Sequence, residues 1–365
     1  MTIADVTSAI EKFAPLALQE DYDNCGLQVG NRDENCTGAI LCVDVTPAIV
    51  DEAASRGCNL IVSHHPLIFK GLKRLTGASQ VEQTVMKAIK AGIAIYSCHT
   101  AIDNAANGVS WEMARRLNVV GIETLEPQLG KLLKLSVMVP NAYCEAVKTA
   151  IFNAGAGTIG DYDCCSFSVQ GEGSFRALSG ANPFVGQVGE VHNELETRID
   201  VIMPRWLKNR VERALIKAHP YEEPAYEFIA IENESKNLGS GVVGKLSTPL
   251  KLSQLISQVK EVFDAPIVRC NTTDVDQEIS TVAMCGGSGA FLIGKAIAKG
   301  AQVYITSDVK YHDFVDYKND IIIIDIGHFE SEQCTKSIFY REIQEKFPTF
   351  ALYYSDIEKN PINYL

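Results

Sequence analysis

The stretch GAILCVDVTPAIVDEAASRGCNLIVSHHP, Gly38 to Pro66, carries the decision about fold. It opens with a continuous apolar run of strand length, Gly38 to Val45. A helical segment runs from Pro47 to Arg56, Gly57 stops it, and Asn59 to Ser63 reads as the next strand. Strands that are apolar along their whole length and separated by helices belong to a largely parallel sheet covered on both faces. The same grammar continues with a helix over Ser79 to Ala91 and a strand over Ile93 to Cys98. It resumes late in the chain: helix Leu252 to Phe263, strand Ile279 to Cys285, helix Phe291 to Lys299, then strands Gln302 to Thr306 and Ile321 to Asp325. The expected fold class is α/β.

Between these outer segments the texture changes. Strands are predicted at Leu133 to Val139, Ser166 to Gly171, Thr197 to Met203 and Ala225 to Ile231, with helices at Ala142 to Asn153 and Arg205 to Ala218. A β-α-β then β-α-β order of this size predicts a ferredoxin-like α+β module. A Gly/Asn/Pro-rich loop, GANPFVGQVGE, lies inside it, and NESKNLGSG (Asn233 to Gly241) reads as its exit linker. The expectation is therefore a discontinuous α/β domain, residues 1–128 and 238–365, interrupted by an inserted module at 129–237.

A chain of 365 residues with 46% hydrophobic and 21% charged residues has ample material for packed cores. A formal net charge of −12 argues against a non-specific nucleic-acid binder, which needs surplus Lys and Arg. No apolar run is long enough for a membrane span. The first twenty residues carry acids early and read as an amphipathic helix capped by Thr2 or Asp5, not as a signal peptide. The 11 cysteines are scattered, with no Cys-x-x-Cys, and several sit in apolar strand-like runs such as Cys42, Cys98 and Cys285. They read as reduced structural thiols of a cytoplasmic protein.

The two outer segments resemble each other. Thr281 to Thr306 repeats the plan of Ala39 to Val62, and Ser307-Asp308 falls where Ser63-His64 falls. The next strand of each half ends in a histidine followed four residues later by an acid: His99 and Asp103, then His328 and Glu332. Two such halves facing each other bring both pairs together with His64-His65. A His and a carboxylate one helical turn apart form an edge that chelates Zn, Mn or Fe. All these residues lie at carboxyl ends of predicted parallel strands, where open α/β sheets place their sites. Adjacent histidines on a strand point to opposite faces, so one of the pair could instead be a hydrogen-bonded core group. If the backbone turns at Pro66, both rings reach one mouth. His99 can ligate, or act as an outer partner or proton carrier. Glu332 could bridge two ions and create a dinuclear site.

Tyr22-Asp23-Asn24-Cys25-Gly26-Leu27-Gln28-Val29-Gly30, Ser63-His64-His65-Pro66, His99 to Asp103 and Gly327-His328-Phe329-Glu330-Ser331-Glu332 together resemble the signature set of the Nif-three-like proteins, also called GTP cyclohydrolase 1 type 2 homologues. The resemblance covers both outer segments, and the central module is similar to the insert of longer bacterial members. It implies a two-lobed, pseudo-duplicated α/β fold assembled as a toroidal homo-hexamer, with a CutA/PII-like insert over the mouths of the ring. It implies two divalent metal ions per subunit held by His64, His65, Asp103, His328 and Glu332. The stretch from Tyr22 to Cys25 departs from the pattern, where members often have Trp and Ser.

Two other motifs stay open. Ala218 to Tyr226, AHPYEEPAY, could bind a ligand or metal, or simply cap and pack a helix-to-strand turn. Gly286-Gly287-Ser288-Gly289 could cradle a phosphate or form a tight turn near the metal mouth. His192 and His312 have no partner pattern. The resemblance implies a metal-dependent hydrolase opening the imidazole ring of GTP with formate release. The competing expectation is a non-catalytic metal-binding scaffold that senses a small ligand or protein through the insert. Threading of nucleic acid through a toroid is opposed by the net acidity.

Overall fold

The computed structural model describes residues 1–365. The signals in Gly38 to Pro66 act locally as expected. Thr46 caps the helix Pro47–Ser55 by accepting from the Ile49 N–H at 3.3 Å, with Pro47 at its first position. The helix Gln80–Ala91 starts on Ser79, which accepts from the Glu82 N–H, and stops at Gly92 with φ 65, a left-handed residue that glycine adopts at low cost.

The chain divides into two compact units, one formed by Met1–Pro127 with Lys236–Leu365 and one by Gln128–Ser235. The first unit holds two sheets. In one, the strands lie in the order Gly26–Val29, Ala94–Ser97, Leu60–Ser63, Ala39–Cys42, Leu352–Tyr354, and only Gly26–Val29 runs antiparallel to its neighbour. Every residue of its three central strands is buried, which explains their unbroken apolarity. Ile40, Ile61 and Ile95 pack there against Val85 and Ala88 of the covering helix.

The other sheet has the order Arg269–Cys270, Ile322–Asp325, Val303–Thr306, Glu278–Met284, Ser235–Lys251, Val119–Gln128. Its middle strands Glu278–Met284, Val303–Thr306 and Ile322–Asp325 are parallel, with antiparallel neighbours on both sides. Tyr304 and Ile323 pack with Ile293 and Ala296 of the crossover helix. Each lobe thus contains three consecutive parallel strands, and their carboxyl ends carry the histidines and acids. The stretch read as an exit linker is instead the start of the strand Ser235–Lys251, 17 residues long. Its Asn, Ser and Gly look like turn signals, but Ser235, Gly239 and Gly241 are buried and the strand lies hydrogen-bonded between two neighbours.

The second unit is a four-stranded antiparallel sheet in the order Phe167–Arg176, Val191–Pro204, Leu132–Pro140, Tyr226–Ala230. The helices Cys144–Asn153 and Lys208–Ala218 send Val147, Ile151, Val211 and Leu215 into one core with Leu135, Val137 and Ile199. Chain order is β-α-β-β-α-β with the first and third strands central, the connectivity of a split βαβ. No helix is long and apolar enough to cross a membrane.

Candidate metal centre

The strand Leu60–Ser63 does not simply run on through the paired histidines. Ser63 Oγ–H donates to the His65 carbonyl at 2.8 Å and lies 2.7 Å from Ser97 Oγ. The His64 and His65 N–H groups still donate to Cys42 and Val43 carbonyls. This bend breaks the strand alternation, and the two rings sit 5.0 Å apart, centroid to centroid, instead of on opposite faces.

The second lobe meets them there. His328 and Glu332 lie one turn apart on the helix His328–Glu332, entered through Gly327 at φ 93. Glu332 Oε2 is 2.9 Å from His65 Nε2 and 2.9 Å from His328 Nε2, and those two nitrogens are 3.3 Å apart. Its other oxygen, Oε1, is 3.5 Å from His64 Nε2, and Asp103 Oδ1 is 3.9 Å from that same nitrogen. His99 stands beside the pair, its ring 5.2 Å from His64 and 5.4 Å from His65. Thus all six sequence-predicted residues converge, although His99 and Asp103 do not close on each other as His328 and Glu332 do.

Three carboxylates to which sequence reasoning gave no ligating or orienting role fix the rings from behind. Asp44 Oδ1 is 2.9 Å from His65 Nδ1, Asp308 Oδ2 is 2.7 Å from His328 Nδ1, and Asp23 Oδ1 is 3.0 Å from His99 Nδ1. An ionised carboxylate only accepts, so Nδ1 carries the proton and Nε2 is left facing the junction. Asp44 and Asp308 each stand just past a parallel strand tip, the positional signal that marks them. Asp23 is gripped further by the Thr100 N–H at 2.9 Å and the Cys25 thiol at 3.2 Å. Asp44 is braced by Glu358, whose Oε1 accepts from the Val43 and Asp44 N–H groups at 2.6 and 3.1 Å.

The glycine turn serves the junction through shape. Gly287 N–H donates to Ser331 Oγ and Gly289 N–H to Thr306 Oγ1, so these two amides are used internally. Gly287 has φ 62, and a Cβ there would stand 2.1 Å from Glu332 Oε1. The tight-turn reading accounts for these contacts.

Electrostatics follow from crowded donors. Burial disfavours a charge on His65, yet Asp44 and Glu332 outweigh it and push the imidazole up to about 10. The same contest, burial against Glu332 and Asp308, raises His328 to about 9. Burial would raise Glu332, but His64, His328 and His65 hold it well below the usual carboxylate range. Burial raises Asp103, and His64 and His99 only partly offset this.

The residues fit a metal ion by a direct test. Both ring nitrogens of His64, Asp103 Oδ1 and Glu332 Oε2 are buried without a hydrogen-bond partner. Each such atom costs about 1–3 kcal/mol if left unsatisfied. Glu332 Oε2 lies 2.9 Å from the Nε2 atoms of both His65 and His328 yet has no hydrogen-bond partner, and in the Nδ1–H tautomer these atoms are converging lone pairs that suit a cation. Two groups, His64 with His65 and His99, and His65 with His328 and Glu332, each bring their ligand atoms within 4.8 Å. Imidazole and carboxylate donors suit Zn, Fe or Mn.

Comparison with known proteins agrees with this architecture. The profile of the family Duf34/NIF3 (NGG1p interacting factor 3) matches residues 1–361. A Bacillus subtilis protein named GTP cyclohydrolase 1 type 2 homolog is 35% identical, covering 99% of this chain and 98% of its own. A Staphylococcus aureus protein of the same name is 31% identical, covering 100% and 98%. Among solved structures, a Bacillus cereus protein related to NIF3 superposes with a TM-score of 0.88 at 33% identity, covering 100% of this chain and 99% of its own. Coverage from end to end by both profile and fold makes this chain a member of the Duf34/NIF3 family.

Proposed function

We propose that the junction holds two divalent metal ions through His64, His65, Asp103, His328 and Glu332, and serves a hydrolytic reaction on a nucleotide. The observation carrying this reading is the set of buried, unpartnered ring nitrogens and carboxylate oxygens that face one another at the junction. The relatives' name, GTP cyclohydrolase 1 type 2 homolog, points to GTP, opened at its imidazole ring with release of formate.

Bound divalent cations supply Lewis acidity and activation of water near neutral pH. The chain's own residues do the positioning. Glu332 turns Oε2 toward His65 and His328 and Oε1 toward His64, so this one carboxylate would be placed to help hold both ions. Asp44 and Asp308 hold the Nε2 faces of His65 and His328 inward. His99, with its Nδ1 proton donated to Asp23, presents Nε2 as the atom that accepts or returns a proton. Zn, Fe and Mn all suit this donor set. The same reading takes residues 129–237 as a CutA/PII-like insert in a metal-binding α/β domain, and the assembly as a toroidal homo-hexamer of the cytoplasm.

The test is elemental analysis of the native protein with a turnover screen on GTP and other nucleotides, following formate. About two divalent ions per chain and formate release that is lost in His65→Ala are expected. Absence of turnover, or turnover unchanged in His65→Ala, defeats the hydrolase reading.

A further inference from the structure

The inserted unit contains a cavity of about 400 Å³ of its own, within the range that small-molecule sites occupy. The motif AHPYEEPAY forms one side of it. His219 is spent on structure: its Nε2–H donates to the Met138 carbonyl at 2.9 Å and its Nδ1 accepts from the Tyr221 N–H at 3.1 Å. Those two bonds fix Tyr221, whose ring lies 5.9 Å from Phe175 and 6.2 Å from Phe184. Three aromatic rings thus make an apolar wall.

Glu196, on the strand Val191–Pro204, also lines the cavity, although its side chain is nearly enclosed, with only 9% of the residue exposed. The neighbouring strand makes room for it: a Cβ on Gly173 would stand 2.3 Å from Glu196 Oε2. Tyr221 Oη is buried and faces Glu196, and burial together with that carboxylate holds the phenol well above its usual range. The charged residues lining the cavity are all glutamates, Glu196, Glu222 and Glu223, and Glu222 holds the Asn182 N–H at 2.9 Å.

An enclosed carboxylate calls for a cation, and an aromatic wall calls for an apolar body that also tolerates positive charge. An anionic ligand meets only repulsion. We propose that this cavity binds a small organic cation, a protonated amine on an aromatic or alkyl body, with the ammonium at Glu196 and Tyr221 Oη and the body against Phe175, Phe184 and Tyr221. This site is independent of the metal centre, and its test reads binding alone.

The test is calorimetric titration of the full-length chain with phenethylamine, phenethyl alcohol and phenylpropanoate. The amine binds at least about tenfold more tightly than the alcohol, and the carboxylate does not bind, as loss of a buried charge partner predicts. Glu196→Gln lowers amine affinity at least about tenfold and leaves the alcohol unchanged. Ala181→Phe, at an exposed loop position lining the cavity, blocks the amine without entering a core. Circular dichroism melts confirm that both variants fold. Equal affinity for amine and alcohol, amine binding unchanged in folded Glu196→Gln, or no amine binding by the wild-type chain overturns the proposal.

Discussion

His99 with Asp103 and His328 with Glu332 share spacing and strand-tip position, and they close differently. Glu332 Oε2 lies 2.9 Å from His328 Nε2, whereas Asp103 turns to His64 at 3.9 Å and His99 turns to Asp23 at 3.0 Å. The backbone supplies the reason. His328 is the first residue of its helix, so the fourth residue on shares its face. His99 is the residue before its helix, with φ −99 and ψ −108, and its ring leaves that face. Identical spacing across a helix boundary is a different geometry. Gly287 sharpens the contrast by leaving space under Glu332.

The largest effect should come from the edge that closes. Glu332→Ala should weaken metal binding by more than about 100-fold, beyond the usual range for outer partners. Retained metal in that variant, by elemental analysis, would break the distinction between the edges. Next come the carboxylates behind the rings: Asp44→Asn and Asp308→Asn should each lower metal affinity about 10- to 100-fold, read by competition with a chromogenic chelator. Asp23→Asn tests the open edge. Turnover should fall about tenfold while metal content stays at the wild-type level, and a parallel loss of metal would make His99 a ligand.

The smallest effect is in the chelator-treated protein. His65 and His328 are raised from 6.5 to about 10 and about 9, so their protonated forms stabilise the fold. That contribution is fully present below pH 6.5 and disappears as pH rises through about 9 and 10. Melting temperature should decline over that window, and metal affinity should rise with pH as these protons become easier to displace. A melting temperature that is flat there removes the protonated edge from the account.

The parallel cores were legible because burial on both faces leaves strands apolar throughout, as in Ala39–Cys42 and Leu60–Ser63. The junction was legible because histidines at strand tips stand out against those runs. The repeat marked the position of Asp308, but the role of Asp308 and of Asp44 as partners of the rings was not legible, since a lone aspartate after a strand is also an ordinary turn residue. The hairpin of Phe167–Arg176 with Val191–Pro204 is longer than its apolar pattern indicates. Its outer portion is held by backbone pairing from Phe167↔Asp200 to Arg176↔Val191 while most side chains there face water, so no alternation marks it. The strand Ser235–Lys251 escaped for another reason: the Asn, Ser and Gly at its start are also ordinary turn residues.

The strand that leads out to the inserted unit, Val119–Gln128, and the strand that returns from it, Ser235–Lys251, are neighbours in one sheet. To the host lobe, the whole insert therefore behaves like the turn of a hairpin. Once the insert folds, its contour no longer counts toward the loop that must close before His65 can meet His328 and Glu332, and loop entropy grows with that length. During synthesis, the first half of the junction is made before the insert, and its completing helix and the Glu358 brace only after it. A nascent chain is thus unable to assemble the whole junction until the insert has been made, so any metal the junction takes up must wait for the insert.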